Sequence, residues 1–262
     1  MLKLKSLGGM MTRNKYDDSV FFEKYSQMDR SVRGLAGAGE WPALKKLLPD
    51  LSGRRLLDLG CGFGWHCGYA LAQGAASAVG VDISEKMLAE GRRKFPEVQF
   101  IQGAIEGVDF PDGSFDLVLS SLALHYVESV DGLFRRVARL LPPAGRFIFS
   151  VEHPIFTAQG PQDWCRDEAG RKQHWPVDDY FRAGPRRAVF LGEEMLKYHR
   201  PLSVYFKALR DSGFTVTDLV EPTPGRELLE ADPEMKDELR RPMMLILAAE
   251  LESAGGVGPL KS

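Results

Sequence analysis

The sequence contains little cysteine: Cys61, Cys67 and Cys165 are the only three in 262 residues. So few cysteines cannot form a disulfide framework in a chain of this length, and they are typical of a reducing compartment. The sequence also lacks a run of roughly 18 apolar residues, which a membrane-spanning helix would need, and its first ten residues lack the apolar core of a signal peptide. We therefore expect a cytoplasmic protein with no membrane partner.

Neither sign of charge is in excess, since 34 Lys and Arg stand against 36 Asp and Glu, for a formal net charge of −2. Proteins that bind nucleic acid over a broad surface usually carry a large positive excess, so no nucleic-acid partner is expected. The sequence also has no internal repeat or low-complexity tract. With 44% hydrophobic and 27% charged residues, it is typical of an ordinary globular protein.

From about residue 54, short apolar runs alternate with helical patterns, which predicts a parallel sheet covered by helices. The runs are apolar throughout, as expected of strands buried on both faces. One helix is predicted from the apolar pattern over Leu133 to Leu141, and Pro142 ends it. Another is predicted from the pattern over Leu202 to Leu209, with Gly213 as its C-terminal cap. The predicted strands are Arg55–Leu59, Ala78–Val81, Val98–Ile101, Phe115–Leu119, Arg146–Val151, Phe214–Val220 and Met243–Ala249.

Two segments depart from this alternation. Residues 1–50 are predicted to form a helical leader that can act as a lid, and residues 155–199 an insertion that caps an acceptor site. The core would then comprise residues 51–154 and 200–250, followed by a flexible tail, 251–262. The insertion is rich in aromatic residues, which form either a lid over an apolar ligand or a small core of their own: Trp164, Trp175, Tyr180 and Phe181.

The most informative stretch is DLGCGFGW, residues 58–65, at the end of the first predicted strand. Its glycines permit positive φ and the close approach of a ligand, and the helix that follows supplies free N–H groups. A dinucleotide fingerprint, G-x-G-x-x-G, would need glycine where Trp65 stands, so an NAD-dependent dehydrogenase is disfavoured. A second acid, Asp82, ends the next strand and is suited to binding ribose hydroxyls.

These two motifs, in this order on neighbouring strands, resemble those of class I S-adenosylmethionine-dependent methyltransferases, and most of all the small-molecule group with a type 11 methyltransferase domain. The resemblance is clearest over residues 54–152 and includes FPDGSFDLV, residues 110–118. It implies an α/β fold with a Rossmann-like, doubly wound sheet of seven strands in the order 3-2-1-4-5-7-6, the last strand antiparallel. It also implies S-adenosylmethionine as cofactor and methyl transfer to O, N or S of a small-molecule acceptor.

Carried over by position, the resemblance implies that the three turn glycines line the methionine part of the cofactor and that Asp58 helps to hold its ammonium group. Asp82 would bind the ribose, with Ile83 against the adenine. Ala104 stands where the family often has an acid facing the adenine amino group, which leaves that contact to Glu106 or to the backbone. The complete predicted cofactor site is Tyr25, Asp58, Gly60, Cys61, Gly62, Gly64, Asp82, Ile83, Met87, Ala104, Ile105, Glu106 and Ser120.

Three histidines near predicted strand ends or helix starts are candidate catalytic bases, because histidine titrates near neutral pH: His125, His153 and His199. A structural role is the alternative for each of them. Glu152, at the end of the fifth strand, either faces the acceptor or pairs with a neighbour. No carboxylate cluster with suitable spacing is present, so no metal site is predicted.

Two functions remain open from the sequence. The chain is either an enzyme that methylates a small molecule or a catalytically degenerate module that binds S-adenosylmethionine as a sensor or partner protein; both would keep the same two motifs. An adenine-directed nucleic-acid methyltransferase is disfavoured, because SSLA at residues 120–123 lacks the N/D-P-P-Y/F run that holds a flipped base. A monomer and a homodimer are both compatible with the sequence.

Overall fold

The protein is described here by a computed structural model that covers residues 14–253. These residues form eleven strands: β1 (Arg55–Leu59), β2 (Ser77–Asp82), β3 (Gln99–Gln102), β4 (Leu117–Ser121), β5 (Arg146–Glu152), β6 (Cys165–Arg166), β7 (Lys172–His174), β8 (Gly184–Phe190), β9 (Glu193–His199), β10 (Phe214–Val220) and β11 (Met244–Leu251). Seven of them form one sheet in the order β10-β11-β5-β4-β1-β2-β3. Strands β1 to β5 pair in parallel, and β11 is antiparallel to both β5 and β10. The predicted order and the antiparallel last strand are confirmed.

Helices cover both faces of this sheet. They are α1 (Ser19–Ser26), α2 (Asp29–Val32), α3 (Trp41–Leu47), α4 (Trp65–Ala72), α5 (Glu85–Lys94), α6 (Val130–Leu140), α7 (Pro154–Thr157), α8 (Leu202–Asp211) and α9 (Arg226–Ala231). The longer 3₁₀ segments run over Gly34–Gly37 and Pro233–Arg240. No helix within residues 14–253 is both long enough and apolar enough to cross a lipid bilayer.

Each face of the sheet has its own core. On one face, Phe134 and Val137 of α6 and Leu209 of α8 pack on the strands. On the other face, Leu44 of α3 and Leu88 of α5 do so. With both faces covered, the central strands are buried throughout, which explains why their sequences are continuously apolar.

The insertion consists of two hairpins, β6–β7 and β8–β9, to which sequence periodicity assigned no strands. The β8–β9 hairpin contacts the leader: Lys15 pairs with Glu193 at 2.7 Å, and the Lys24 ammonium donates to the Leu191 carbonyl. The leader is largely helical over the described residues. Of the predicted tail, residues 254–262 lie outside the described part of the chain, and Leu251 still belongs to β11.

Candidate active site

The glycine turn between β1 and α4 uses positive φ at all three glycines: 79° at Gly60, 53° at Gly62 and 75° at Gly64. A Cβ at Gly60 would collide with Ala123, and one at Gly64 would collide with the Phe100 ring. A Cβ at Gly62 would meet nothing within 4 Å. Gly60 and Gly64 are therefore required for packing, whereas Gly62 keeps an open space in front of the turn.

Asp82, at the end of β2, holds this turn in place. One carboxylate oxygen accepts the Gly62 N–H and the other accepts the Ser84 N–H, each at 2.9 Å. Burial raises the pKa of Asp82 to about 6 even though both hydrogen bonds favour the ionised form. The carboxylate is therefore ionised at neutral pH, and its oxygens have further lone pairs to accept hydroxyl donors.

A cavity of about 710 Å³ opens along the carboxyl ends of the parallel strands, the edge at which doubly wound sheets bind ligands. Its size falls in the range of about 300–1,000 Å³ that is usual for cofactor and substrate sites. Ile83 borders it with an unusually exposed apolar side chain, 51%. Most of the predicted cofactor residues line it: Tyr25, Gly60, Gly62, Asp82, Ile83, Met87, Ala104, Ile105 and Glu106.

Four of the predicted cofactor residues do not border this cavity. Asp58 is completely buried behind the turn, near His66 and Cys67. Gly64 is the N-cap of α4. Ser120 is also buried, and its hydroxyl donates to the Leu59 carbonyl at 2.7 Å, tying β4 to β1. The sequence could not distinguish these positions, because burial depends on neighbouring strands.

Cys61, the fourth of these residues, fills space under the turn. Its buried side chain packs so closely against Gly80 that a Cβ on residue 80 would collide with the Cys61 sulfur. Burial raises the pKa of the Cys61 thiol well above its usual value, so the thiol stays protonated and unreactive at neutral pH.

A smaller hollow of about 70 Å³ continues behind the turn, between Gly60, Gly62 and the leader. Polar groups without hydrogen-bond partners among the described residues lie here or nearby: Ser31 Oγ, Glu40 Oε2, Asp58 Oδ1 and the Trp65 indole N–H. Arg30 lines the hollow and pairs with the buried Glu40. Buried polar atoms are usually hydrogen-bonded, so this region fits a ligand end that carries both a cation and an anion.

The Trp65 indole leaves the larger cavity open. It packs against Phe95, with ring centroids 5.4 Å apart, and lies under the Lys94 ammonium. A Cβ on Gly34 would collide with it, so the leader approaches the indole closely only because residue 34 is glycine. Tryptophan at the position where a dinucleotide fingerprint has glycine is therefore accommodated by the end of α5 and by the leader.

On the β4 and β5 side, the cavity is lined by His125, Tyr126, Glu152 and Lys197. Burial lowers the pKa of His125 to about 4, so the ring is neutral near pH 7. Its Nδ1 accepts the Glu152 backbone N–H at 3.4 Å. The ring proton of the neutral form therefore resides on Nε2, which makes His125 a hydrogen-bond donor rather than a base.

His153 and His199 do not line the cavity. His153 caps α7 by accepting the Ile155 N–H at 3.0 Å, and its Nε2 lies 2.9 Å from Glu221. His199 lies between the Thr157 hydroxyl and the Tyr180 carbonyl, each at 2.8 Å. Burial lowers the pKa of both rings. These hydrogen bonds favour the structural alternative for both histidines.

The insertion contributes to the cavity through the β8–β9 hairpin rather than through its tryptophans. Phe156 stacks on Trp175, with Trp164 and Arg241 against them, as a small core outside the cavity. Met195 and Lys197, whose side chains point inward from β9, line the cavity instead.

Several residues that line the cavity are not identifiable from the sequence: Arg30, Glu40, Lys197, Met243 and Met244. Burial alternates along β9, but the residue types do not, since Leu196 is exposed and Lys197 is buried; the sequence therefore carries no strand signal there and no sign of the partner of Lys197. Within residues 14–253, no group of three or more His, Cys, Asp or Glu side chains is placed to hold a metal ion.

Comparison with known proteins gives consistent matches. The methyltransferase-domain family model matches residues 57–149. A Listeria monocytogenes structure described as an S-adenosylmethionine-dependent methyltransferase is 50% identical, with a TM-score of 0.80, over 84% of this chain and 100% of its own. A Mesorhizobium loti structure of the same description is 44% identical, with a TM-score of 0.77, over 83% and 100%. An uncharacterized Haemophilus influenzae protein is 31% identical over 247 residues, 89% of this chain and 95% of its own.

Proposed function

Because the chain belongs to the S-adenosylmethionine-dependent methyltransferases, we propose that this enzyme transfers a methyl group to an oxygen, nitrogen or sulfur atom of a small-molecule acceptor. S-adenosylmethionine supplies the methyl group on a positively charged sulfur. The observation that carries the proposal is a single cavity with most of the predicted cofactor residues on one side and a separate wall on the other.

The fit of the cofactor rests on three features of the site. Asp82 offers an ionised carboxylate to ribose hydroxyls, and the exposed face of Ile83 lies beside it. Gly62 leaves open space where any side chain would intrude. Arg30 and Glu40 border the polar region behind the turn, where the amino-acid end would meet one anionic and one cationic partner.

The acceptor wall is formed by residues after β4 and β5, by β9 and by the start of β11. In the sheet order β4, β5 and β11 lie on one side of β1, whereas β2 and β3, which carry at their ends most of the predicted cofactor residues that line the cavity, lie on the other. The leader and the β8–β9 hairpin, joined by the Lys15–Glu193 pair, help to cover the cavity from solvent. A covered, pre-shaped cavity aligns two reactants and excludes water, which is most of what a methyl transfer requires.

The test is turnover with a panel of small-molecule acceptors, followed as S-adenosylhomocysteine release and as a mass gain of one methyl group in the product. Thermal stabilisation by S-adenosylhomocysteine is measured in parallel. We expect both stabilisation and turnover, with Asp82→Ala reducing the first. Stabilisation without turnover across a broad panel would instead favour a sensor or partner role, and absence of stabilisation would contradict the proposed cofactor site.

A further inference from the structure

The acceptor wall contains one buried ion pair that the fold does not need for its sheet or its helix caps. The Lys197 ammonium donates to Glu152 Oε1 at 2.5 Å and to Gln162 Oε1 at 3.1 Å, and the Gln162 amide donates to Glu152 Oε2 at 2.8 Å. Lys197 is 3% exposed and Glu152 17%. The carboxylate is therefore the more accessible partner of the pair.

Glu152 remains ionised in this position. Burial alone would raise its pKa, but His125, which is charged only at acidic pH, the Lys197 ammonium and the hydrogen bonds from Lys197 and Gln162 hold the pKa below its usual value. Each carboxylate oxygen accepts one hydrogen bond from these partners and has a lone pair left. Glu152 can therefore accept a further hydrogen from a ligand, and it repels a second carboxylate.

The other polar and charged groups nearby also favour a ligand without a carboxylate. His125 is neutral, and its Nε2 carries the ring proton. Glu194 also borders the cavity, but its carboxylate is largely exposed and pairs with Arg187. Lys197, the only cation that β9 places in this wall, is likewise already paired, with Glu152. Much of the remaining wall is apolar and adaptable, with Met195 and Met244 among its side chains.

We propose that the acceptor is an apolar molecule whose nucleophile is a hydroxyl or amine group that donates a hydrogen bond to Glu152, and that carboxylic acids are excluded. This inference rests on the proposed methyltransferase function and specifies its substrate class. Glu152 both selects the acceptor, by accepting its hydrogen, and repels anionic competitors.

The chemistry balances with the groups present. The acceptor's lone pair forms the new bond to the methyl carbon as the carbon–sulfur bond breaks, and that bond's electron pair stays on sulfur, which becomes an uncharged thioether. A hydroxyl acceptor becomes positively charged at oxygen and passes its proton to Glu152. An amine acceptor becomes an ammonium ion whose charge Glu152 neutralises, and its proton then leaves to water.

The experiment uses methyl-tritiated S-adenosylmethionine and a small-molecule extract of bacterial cells with the purified full chain. After the reaction, mild base releases methyl esters as volatile methanol, whereas methyl ethers and methylamines keep their label. We expect base-stable label, which mass spectrometry assigns to oxygen or nitrogen. Label released as methanol, or found on sulfur, would overturn this inference alone, and absence of any enzyme-dependent label would count against the proposed function.

The variant Glu152→Gln sharpens the test. It should lower base-stable labelling about 10- to 100-fold, the scale of one hydrogen bond to a charged group. Because Lys197 is left without its counter-ion, the fraction of methanol-releasing label should rise. The affinity for S-adenosylhomocysteine should not change. Unchanged labelling with an unchanged product ratio would overturn the role of Glu152.

Two further variants guard against structural effects. Glu152→Gln/Lys197→Met removes both charges and so avoids a buried unpaired lysine; it should lose base-stable labelling without gaining methyl esters. Glu250→Gln is the matched control, because Glu250 pairs with Arg146 at the opposite end of the β5–β11 ladder. It should label like the wild type. Full activity of the double variant would contradict the proposal.

Discussion

Asp82→Ala should weaken the binding of S-adenosylhomocysteine by removing the carboxylate that borders the cavity. A hydrogen bond to a charged group contributes about 1.5–3 kcal/mol, so the dissociation constant at pH 7.5 should rise roughly 10- to 150-fold. Isothermal titration calorimetry measures this directly. Glu85→Ala is the control, because Glu85 lies three residues on, is exposed and pairs with Arg92.

The pH dependence of binding provides a second measurement on Asp82. Its pKa of about 6 means that the carboxyl is ionised at pH 7.5, and that roughly nine in ten molecules carry it protonated at pH 5. If the ionised form binds the ribose, wild-type affinity should fall about tenfold between these values, whereas Asp82→Ala should lose this component. An affinity that is equal in the two proteins at pH 7.5, or a pH profile that the substitution leaves unchanged, would refute the assignment.

The stability of the free protein should move in the opposite direction. The native Asp82 holds its proton up to about pH 6, whereas the unfolded group releases it near 3.8. Protonated Asp82 therefore contributes its full stabilisation below about pH 4, and this contribution is lost as the pH rises through 6. The total loss in the free energy of unfolding is no more than about 3 kcal/mol. Denaturant unfolding of wild type and Asp82→Ala at pH 4 to 8 should show the wild type losing stability relative to the variant. A constant difference would contradict the raised pKa.

Three other substitutions separate binding from folding. Gly62 has a φ of 53° and faces the cavity, so Gly62→Ala should cost about 1–2 kcal/mol of stability. It should also raise the dissociation constant of S-adenosylhomocysteine more than tenfold. Normal binding would disprove the role of the turn in binding. Gly64→Ala, which collides with Phe100, should cost about 2–5 kcal/mol while the folded fraction still binds, and a selective loss of binding would be the contrary result. His153→Ala should lower stability by about 1–2 kcal/mol through the lost helix cap and Glu221 contact, with turnover intact; a large fall in turnover alone would restore its catalytic role.

The sheet was predictable because its central strands are largely apolar. The bounds of β1 and β10 match the predictions residue for residue, and the other five differ by one or two positions. Glycine spacing and the acid at the end of β2 identified residues that line the cavity for a related reason. Backbone conformation and strand ends follow from local sequence, so Gly62 and Asp82 could be placed before any contact was known.

The acceptor wall was less predictable, because its residues meet only through the tertiary fold. Lys197 and Glu152 are 45 positions apart, and nothing local to either residue identifies the other. Histidines at strand ends looked alike in the sequence, yet His125 lines the cavity whereas His199 is enclosed by hydrogen bonds from the insertion. Which histidine faces a ligand depends on how residues 155–199 fold back over the sheet.

The position of β11 has a consequence for synthesis on the ribosome. This strand, Met244–Leu251, is the last of the sheet to be translated, yet it lies between β5 and β10. Until it emerges, β5 presents an open edge and β10 has no strand to pair with, since its described ladder is to β11 alone. The nascent chain therefore passes through a state with an unpaired apolar strand, a state prone to aggregation. The emergence of β11 thus decides when the sheet can close.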